Sequence, residues 1–455
     1  MKRFSIILLG ALAILMAGCS KDVPVSPPDE NAWINDINLP VPIQFGHSSL
    51  TAVTKADDPG MIEEDVLNQR TVGVIGIDAE LTWKGSSASS FNKNALLLKE
   101  DVMTTENGDI VFTPKKYYPM LSEQNYDFYG YYPHDIDNLI RLGSRDELPG
   151  STDGNQILFV KYENIGYKDI LWGSSKAKTF TYMNNSGVET EVTGYNAKYI
   201  RKVKQAEQEL LNGRDESSLS TEEREQLNNI RNYFPSIKFK HCLSAVRFNI
   251  QAKDETAEKS FVDTYDDPTG GKKTFETLKI TGLTIKNLYQ TGSLIVAIRE
   301  NEEIGVEAYS EWEGRVVPFP GIKPSDHILT NADGSKLTPV TPRMAIEELG
   351  QGLMLIPGSA ELDYGAKLEG ILYYSTFAYD DANQKMVEVK EEMEIELPLI
   401  ASENFKAGKR YTFTIVLNSL EMVEIKTSLQ PWDDSYSGES VDGANGEGGE
   451  KIEIE

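Results

Sequence analysis

Apolar and polar residues alternate with a period of two along several stretches of this 455-residue chain. Leu39, Val41, Ile43 and Phe45 fall on one phase, with Asn38, Pro40, Pro42 and Gln44 on the other. That period predicts a strand with one apolar face. Because Pro40 and Pro42 cannot donate to a ladder, the strand is expected at a sheet edge. Val72 to Trp83 is a nearly continuous apolar run and predicts a further strand. Residues 117–133 gather Tyr117, Tyr118, Tyr126, Phe128, Tyr129, Tyr131 and Tyr132 between flanking prolines, Pro119 and Pro133. They predict a central strand covered on both faces; the alternative is a sugar-stacking surface. Ile237, Phe239, His241 and Leu243 share one phase and Val246, Phe248 and Ile250 the other, the slip of a β-bulge or bend. Val387, Val389, Met393, Ile395, Leu397 and Leu399 alternate with Glu388, Lys390, Glu392, Glu394 and Glu396. Tyr411, Phe413, Ile415 and Leu417 alternate with Thr412, Thr414 and Val416. Both read as half-buried antiparallel strands of a sandwich.

One region departs from the β pattern. Ile200, Val203, Ala206 and Leu210 have helical spacing, and Gly213 suits the position just past a helix end. Ser220 with Glu223 predicts a capping box opening a second helix that ends near Tyr233. With six Lys/Arg and seven Asp/Glu in 201–232, residues of about 195–235 read as a solvated helical hairpin inserted between strands.

The amino terminus carries an address. Lys2 and Arg3 precede a 14-residue apolar run, Phe4 to Ala17, followed by Gly18 and Cys19. A spanning helix needs roughly 20 apolar residues. The run, its basic start and its small residues therefore read as an export signal, residues 1–18. Cys19 after Ala17-Gly18 resembles a bacterial lipoprotein signal, although Met16 stands where that pattern usually has Leu. The resemblance implies acylation at Cys19 and an outer-membrane lipid anchor. Residues 19–32 are polar and Pro-rich, suiting a tether. At the far end, residues 437–455 form a Gly-rich acidic tail expected to be flexible.

Composition narrows the chemistry. With 45 Lys+Arg against 71 Asp+Glu the formal charge is −26, which argues against a nucleic-acid partner. Cys242 is the only cysteine besides Cys19 and lies in an apolar stretch, suiting a buried small residue. The four histidines show no metal-ligand spacing, and no phosphate loop or nucleophile elbow is present. Carboxylates are too numerous for any pair to stand out as catalytic. No enzyme activity, cofactor or metal is expected. The length exceeds the roughly 250–300 residues of a single core, so two domains are expected.

Several motifs in order resemble the fimbrillin (Mfa-like) family, lipoproteins that build type V pili in Gram-negative anaerobes. They are Thr54-Lys55-Ala56, Tyr126-Asp-Phe-Tyr-Gly-Tyr-Tyr-Pro133, Tyr167-Lys-Asp-Ile-Leu-Trp-Gly173 and Phe239-Lys-His-Cys-Leu-Ser-Ala-Val-Arg-Phe248. Ala407-Gly-Lys-Arg-Tyr411 and Gln430-Pro-Trp432 follow late in the chain. The helical insertion and the tail depart from the pattern. The resemblance implies a mainly β fold of two tandem transthyretin-like antiparallel sandwiches, which the strand pattern also suits. The turn-forming residues after Ala252 place the boundary there, giving domains 33–252 and 253–436.

The resemblance further implies a structural or adhesive subunit of a cell-surface pilus. Its partners would be other pilus subunits, a maturation protease and a host or microbial surface ligand. Assembly would follow removal of the first strand, here Leu39, Val41, Ile43 and Phe45, and insertion of a neighbour's strand into the open edge. An open edge exposes apolar surface and unpaired backbone until a strand adds to it. Between Cys19 and Thr71 the Lys and Arg residues are Lys21, Lys55 and Arg70. Cutting at Lys21 opens nothing. Cutting at Lys55 leaves an acidic overhang, and cutting at Arg70 starts the chain directly before the Val72 strand. A rival reading is a surface glycan-binding lipoprotein, for which Trp33, Trp172, Trp312 and Trp432 would be available.

Overall fold

The computed structural model describes residues 31–431, apart from 47–48, 51–66, 68, 80–95, 106–107, 121–122, 135–139, 145–155, 184–187, 300–311, 358–366, 399–404 and 420–421. The export signal, Cys19, the tether up to residue 30, Lys55, Trp432 and the tail 437–455 lie outside the described residues. The fold is mainly β, and its strands are numbered here in chain order.

The first sheet runs, in spatial order, β1 (Ser49–Leu50), β10 (Lys238–His241), β7 (Leu171–Ser175), β4 (Tyr126–Tyr132), β2 (Thr71–Asp78) and β3 (Leu96–Met103). The aromatic run thus supplies a central strand, β4, paired to β2 and β7. Tyr126 and Phe128 point into one core, and Tyr129 and Tyr131 into another. All four are at most 5% exposed, so these rings are packing material and no sugar platform; of the rest of the run Tyr118 is buried, Tyr132 half-buried and Tyr117 exposed. Gly73 on β2 is required by this density: a Cβ there would meet the Tyr131 ring.

On the Tyr129 side lies a second sheet, β16 (Val316–Pro318), β15 (Thr291–Arg299), β6 (Gln156–Glu163) and β5 (Ile140–Ser144). Leu158, Val160, Tyr162, Leu294 and Val296 meet Ile75, Ile77, Tyr129 and Tyr131 between the sheets. A second sandwich follows. One layer is β18 (Glu347–Glu348), β11 (Ser244–Ala252), β22 (Lys409–Ser419) and β23 (Met422–Pro431), and β19 (Leu353–Leu355) also pairs with β11. The other is β17 (Ser325–Ile328), β14 (Leu278–Leu288), β20 (Lys367–Asp380) and β21 (Lys385–Pro398). Val246, Phe248, Ile250, Leu283, Ile285, Phe413 and Ile415 fill the space between them. Among the described residues the pairings are antiparallel except β1 with β10 and β11 with β22.

The phase slip after residue 243 is a bend, one of the two forms expected: the chain turns at Leu243, leaving the first sandwich after β10 and entering the second at β11. Phe239 therefore serves one core and Phe248 another, with buried Cys242 and Leu243 between. Sequence order and sheet membership also part company around residue 252. β11, on its amino side, pairs with β22, whereas β15, on its carboxyl side, pairs with β6. Finally, the first half of β21 is not half-buried. Val387 and Val389 are exposed, because β20 and β21 pair over their full lengths and run past the facing layer. Burial resumes at Ile395 and Leu397.

The helical hairpin forms as its caps predict. Helix α1 (Ala197–Leu211) starts at Asn196, whose side chain accepts from Tyr199 N at 2.9 Å. It stops at Asn212 and Gly213, both left-handed. Helix α2 (Thr221–Arg231) opens on a reciprocal box: Glu223 N donates to Ser220 Oγ and Ser220 N to Glu223 Oε2. The hairpin is not simply solvated. Ile200, Val203, Ala206, Leu210, Leu227 and Ile230 join Phe128 and Phe239 in one core on the outer face of the first sheet. That face is apolar, and among the described residues it is covered by the helices together with the two-stranded sheet of Thr179–Met183 and Glu189–Thr193, which adds Val192, Phe180 and Tyr182.

Candidate functional site

The residues expected to form the removable strand lie between the first sheet and α1. Ala32–Ile34 make a short 3-10 turn that buries Trp33 and Ile34. Val41 and Ile43 are also buried, while Leu39 and Phe45 are half-buried against the same core. Phe45 meets the edges of Phe128 and Phe112, with ring centroids 5.2 and 5.9 Å apart. The apolar phase read from the sequence therefore does face inward.

The segment is nevertheless not a ladder strand. Among the described residues it makes a single bridge, Pro42 opposite Tyr117, in which Ile43 N donates to Lys116 O at 2.8 Å and Tyr118 N to Val41 O at 2.9 Å. Pro42 itself sits where no N–H is needed. Pro40 and Pro42 together leave too few donors to extend the pairing. The sheet edge is instead taken by β1, parallel to β10.

Side chains of α1 replace the missing ladder. Arg201 Nη2 donates to Leu39 O and Gln205 Nε2 to Ile34 O, both at 2.8 Å. Gly46 N donates to Pro235 O at 2.8 Å. A groove of about 430 Å³ runs beside this contact, lined by Ile37, Leu39, Met120, Lys198, Arg201 and Lys202 among others. Arg201 and Gln205 escape a sequence reading because helical spacing shows which face is apolar, not which backbone its polar flank will reach. The hairpin is braced by Glu207, buried, with Lys204 at 2.6 Å and Arg231 at 2.8 Å. Burial alone would raise the Glu207 carboxyl, but the Lys204 and Arg231 hydrogen bonds outweigh it and hold it below the usual carboxylate range.

Arg70, a candidate cleavage residue, is exposed and follows Gln69, whose φ is 57°. Its N donates to Thr104 Oγ1 at 3.1 Å and its O accepts from Thr104 N at 2.9 Å. Thr71 already pairs with Met103, so the Arg70–Thr71 bond opens the β2–β3 ladder. Trp33 and Trp172 are buried, and Trp172 Nε1 donates to Val296 O at 2.9 Å. Neither offers its ring to a sugar. Among the described residues no three His, Cys, Asp or Glu gather to hold a metal ion. His241 instead pairs with Asp169, Nδ1 to Oδ2 at 2.8 Å, with both side chains fully buried.

The body is mainly β: two sandwiches, a helical hairpin packed on the first sheet, and residues 31–46 docked beside that sheet. The model of the fimbrillin-like family matches residues 75–432, and the chain belongs to that family. No curated protein sequence matches it. Among solved structures it is similar to a candidate cell adhesion protein from Bacteroides uniformis, at 12% identity and TM-score 0.37 over 86% of this chain and 98% of that one. It is also similar to a candidate adhesin from Bacteroides thetaiotaomicron, at 11% identity and TM-score 0.33 over 87% and 99% of the two chains. The fimbrial anchor protein Mfa2 from Porphyromonas gingivalis matches at 10% identity and TM-score 0.30 over 86% and 98%. Likenesses this distant carry no functional argument.

Proposed function

We propose that this protein is a structural or adhesive subunit of a cell-surface pilus, exported as an outer-membrane lipoprotein through Cys19. A protease removes the amino-terminal segment, and a strand from another subunit takes its place. The observation that carries the reading is the docked state of residues 31–46: an apolar face covered by a segment with one backbone bridge. Removing it exposes Phe128, Phe239 and their neighbours, and an added strand would cover them again. Arg70 is the preferred cut, since its side chain is accessible and Thr71 begins β2. Lys55 is the second choice. The Thr104 hydrogen bonds at Arg70 require that the first turn of the ladder frays before a protease can bind there. We keep two domains as the proposed organisation, each built on one sandwich, with the chain returning from beyond residue 252 to supply β15 and β16 to the first.

Amino-terminal sequencing of subunits from sheared fibres tests this reading. A start at Thr71 is expected. Fibres whose subunits still carry acylated Cys19 would overturn it.

A further inference from the structure

The hydrogen bonds that hold residues 31–46 across the chain have partners beyond residue 70. Ile43 and Val41 bond Lys116 and Tyr118, Gly46 bonds Pro235, Leu39 bonds Arg201, and Ile34 bonds Gln205. The apolar side chains follow suit. Trp33, Ile34, Val41 and Ile43 belong to the core cluster that also contains Phe128, Ile200, Val203 and Phe239. The connection through 47–70 adds to these contacts the pairing of β1 with β10 at the sheet edge and the buried side chain of Leu67.

We propose that α1 is a clamp for the chain's own amino-terminal segment, with Arg201 and Gln205 as its retention residues. Cutting the chain at Arg70 or Lys55 leaves the segment docked, and release is a separate step that needs a competing chain. The two side chains stand four residues apart, on one face of α1. They grip main-chain carbonyls, Leu39 O and Ile34 O, five residues apart on the segment. Such a grip does not depend on the side chains of the occupant. Trp33 and Ile34, buried under the same helix, make the segment specific. A lipid carried on Cys19 would then keep a cut subunit at the membrane until assembly displaces the segment. The clamp deepens the function proposed above by dividing maturation into cutting and release, and it rests on that reading only for the identity of the cut.

The test uses the chain from Ser20 to its end, with a site-specific protease sequence inserted after Gly60. After cutting, the fragment ending at the insert is expected to co-elute with the body in gel filtration at micromolar concentration. In the R201A/Q205A double variant, exchange of the bound fragment against a labelled copy is expected to be about tenfold faster, as for two lost hydrogen bonds. Immediate separation in the unaltered chain, or equal exchange in both, overturns the clamp. Should the double variant lose its circular dichroism, Gln205→Ala alone is read the same way. This outcome does not depend on what cells cut, whereas fibres of uncut subunits would overturn the pilus reading and leave the clamp standing.

Discussion

The segment at residues 31–46 and strand β23 both cover apolar surface near the ends of the described chain, by opposite means. β23 meets β22 in ten residue pairs, from Lys409 opposite Pro431 to Ser419 opposite Met422. Val423 and Ile425 add buried side chains. The amino-terminal segment has one bridge, and its hold comes from buried side chains and two helix donors. A ladder is cooperative, since each bond positions the next. Docking by separate side chains can be undone piece by piece. Covering a surface and being woven into it are therefore distinct properties, and exchange is easier where only the first applies.

The largest effect should come from the ring at the base of the docked segment. Phe128→Ala removes the surface against which Phe45 and Tyr118 lean, with centroids at 5.2 and 6.2 Å. A loss of about 3–5 kcal/mol is expected from urea unfolding, together with faster proteolysis of residues 31–46. A loss below about 1 kcal/mol would show that the segment does not depend on this core.

A paired experiment sharpens the contrast. Ile43→Ala and Ile425→Ala each remove a buried side chain and should each cost about 2–4 kcal/mol. Hydrogen exchange should then differ. Amides at 41–46 and 116–118 should exchange faster in the first variant, while the β22–β23 ladder should remain slow in the second. Equal acceleration at both places would erase the distinction.

Ser220→Ala breaks the capping box of α2 and should lower stability by about 1 kcal/mol. If the hairpin supports the segment, thermal scans should show the loss, and exchange at 41–46 should rise with it. A variant that destabilises α2 without affecting that segment would confine the clamp to α1.

The smallest expected effect is one of pH. His327 of β17 is buried and its ring lies 4.9 Å from that of Tyr167, which burial answers by lowering the imidazole below its ordinary value. The unfolded chain takes up a proton near pH about 6.5 before the folded one does. Stability is then full above that value and declines as pH falls towards the lower folded value. His327→Phe should flatten that slope in urea midpoints measured across the range. An unchanged slope would assign the pH dependence to other groups.

Much of this was legible in one dimension. Period-two alternation marked Val41 and Ile43 as inward-facing, the aromatic run marked β4 as doubly covered, and Ser220 with Glu223 marked the start of α2. These are local properties: a strand's faces, a helix's caps and a proline's missing donor follow from neighbours in the chain. Tertiary structure decided which surfaces meet. The same alternation left Val387 exposed and Leu397 buried, because only the end of β21 has a layer opposite. The phase change after Leu243, a bulge or a bend from the sequence alone, is a bend that carries the chain from one sandwich into the other. Arg201 and Gln205 became the hold on a distant backbone because α1 packs across the face that the first sheet leaves open. Periodicity records which side of an element is apolar, but the partner of that side is fixed only by contacts between residues far apart in the chain.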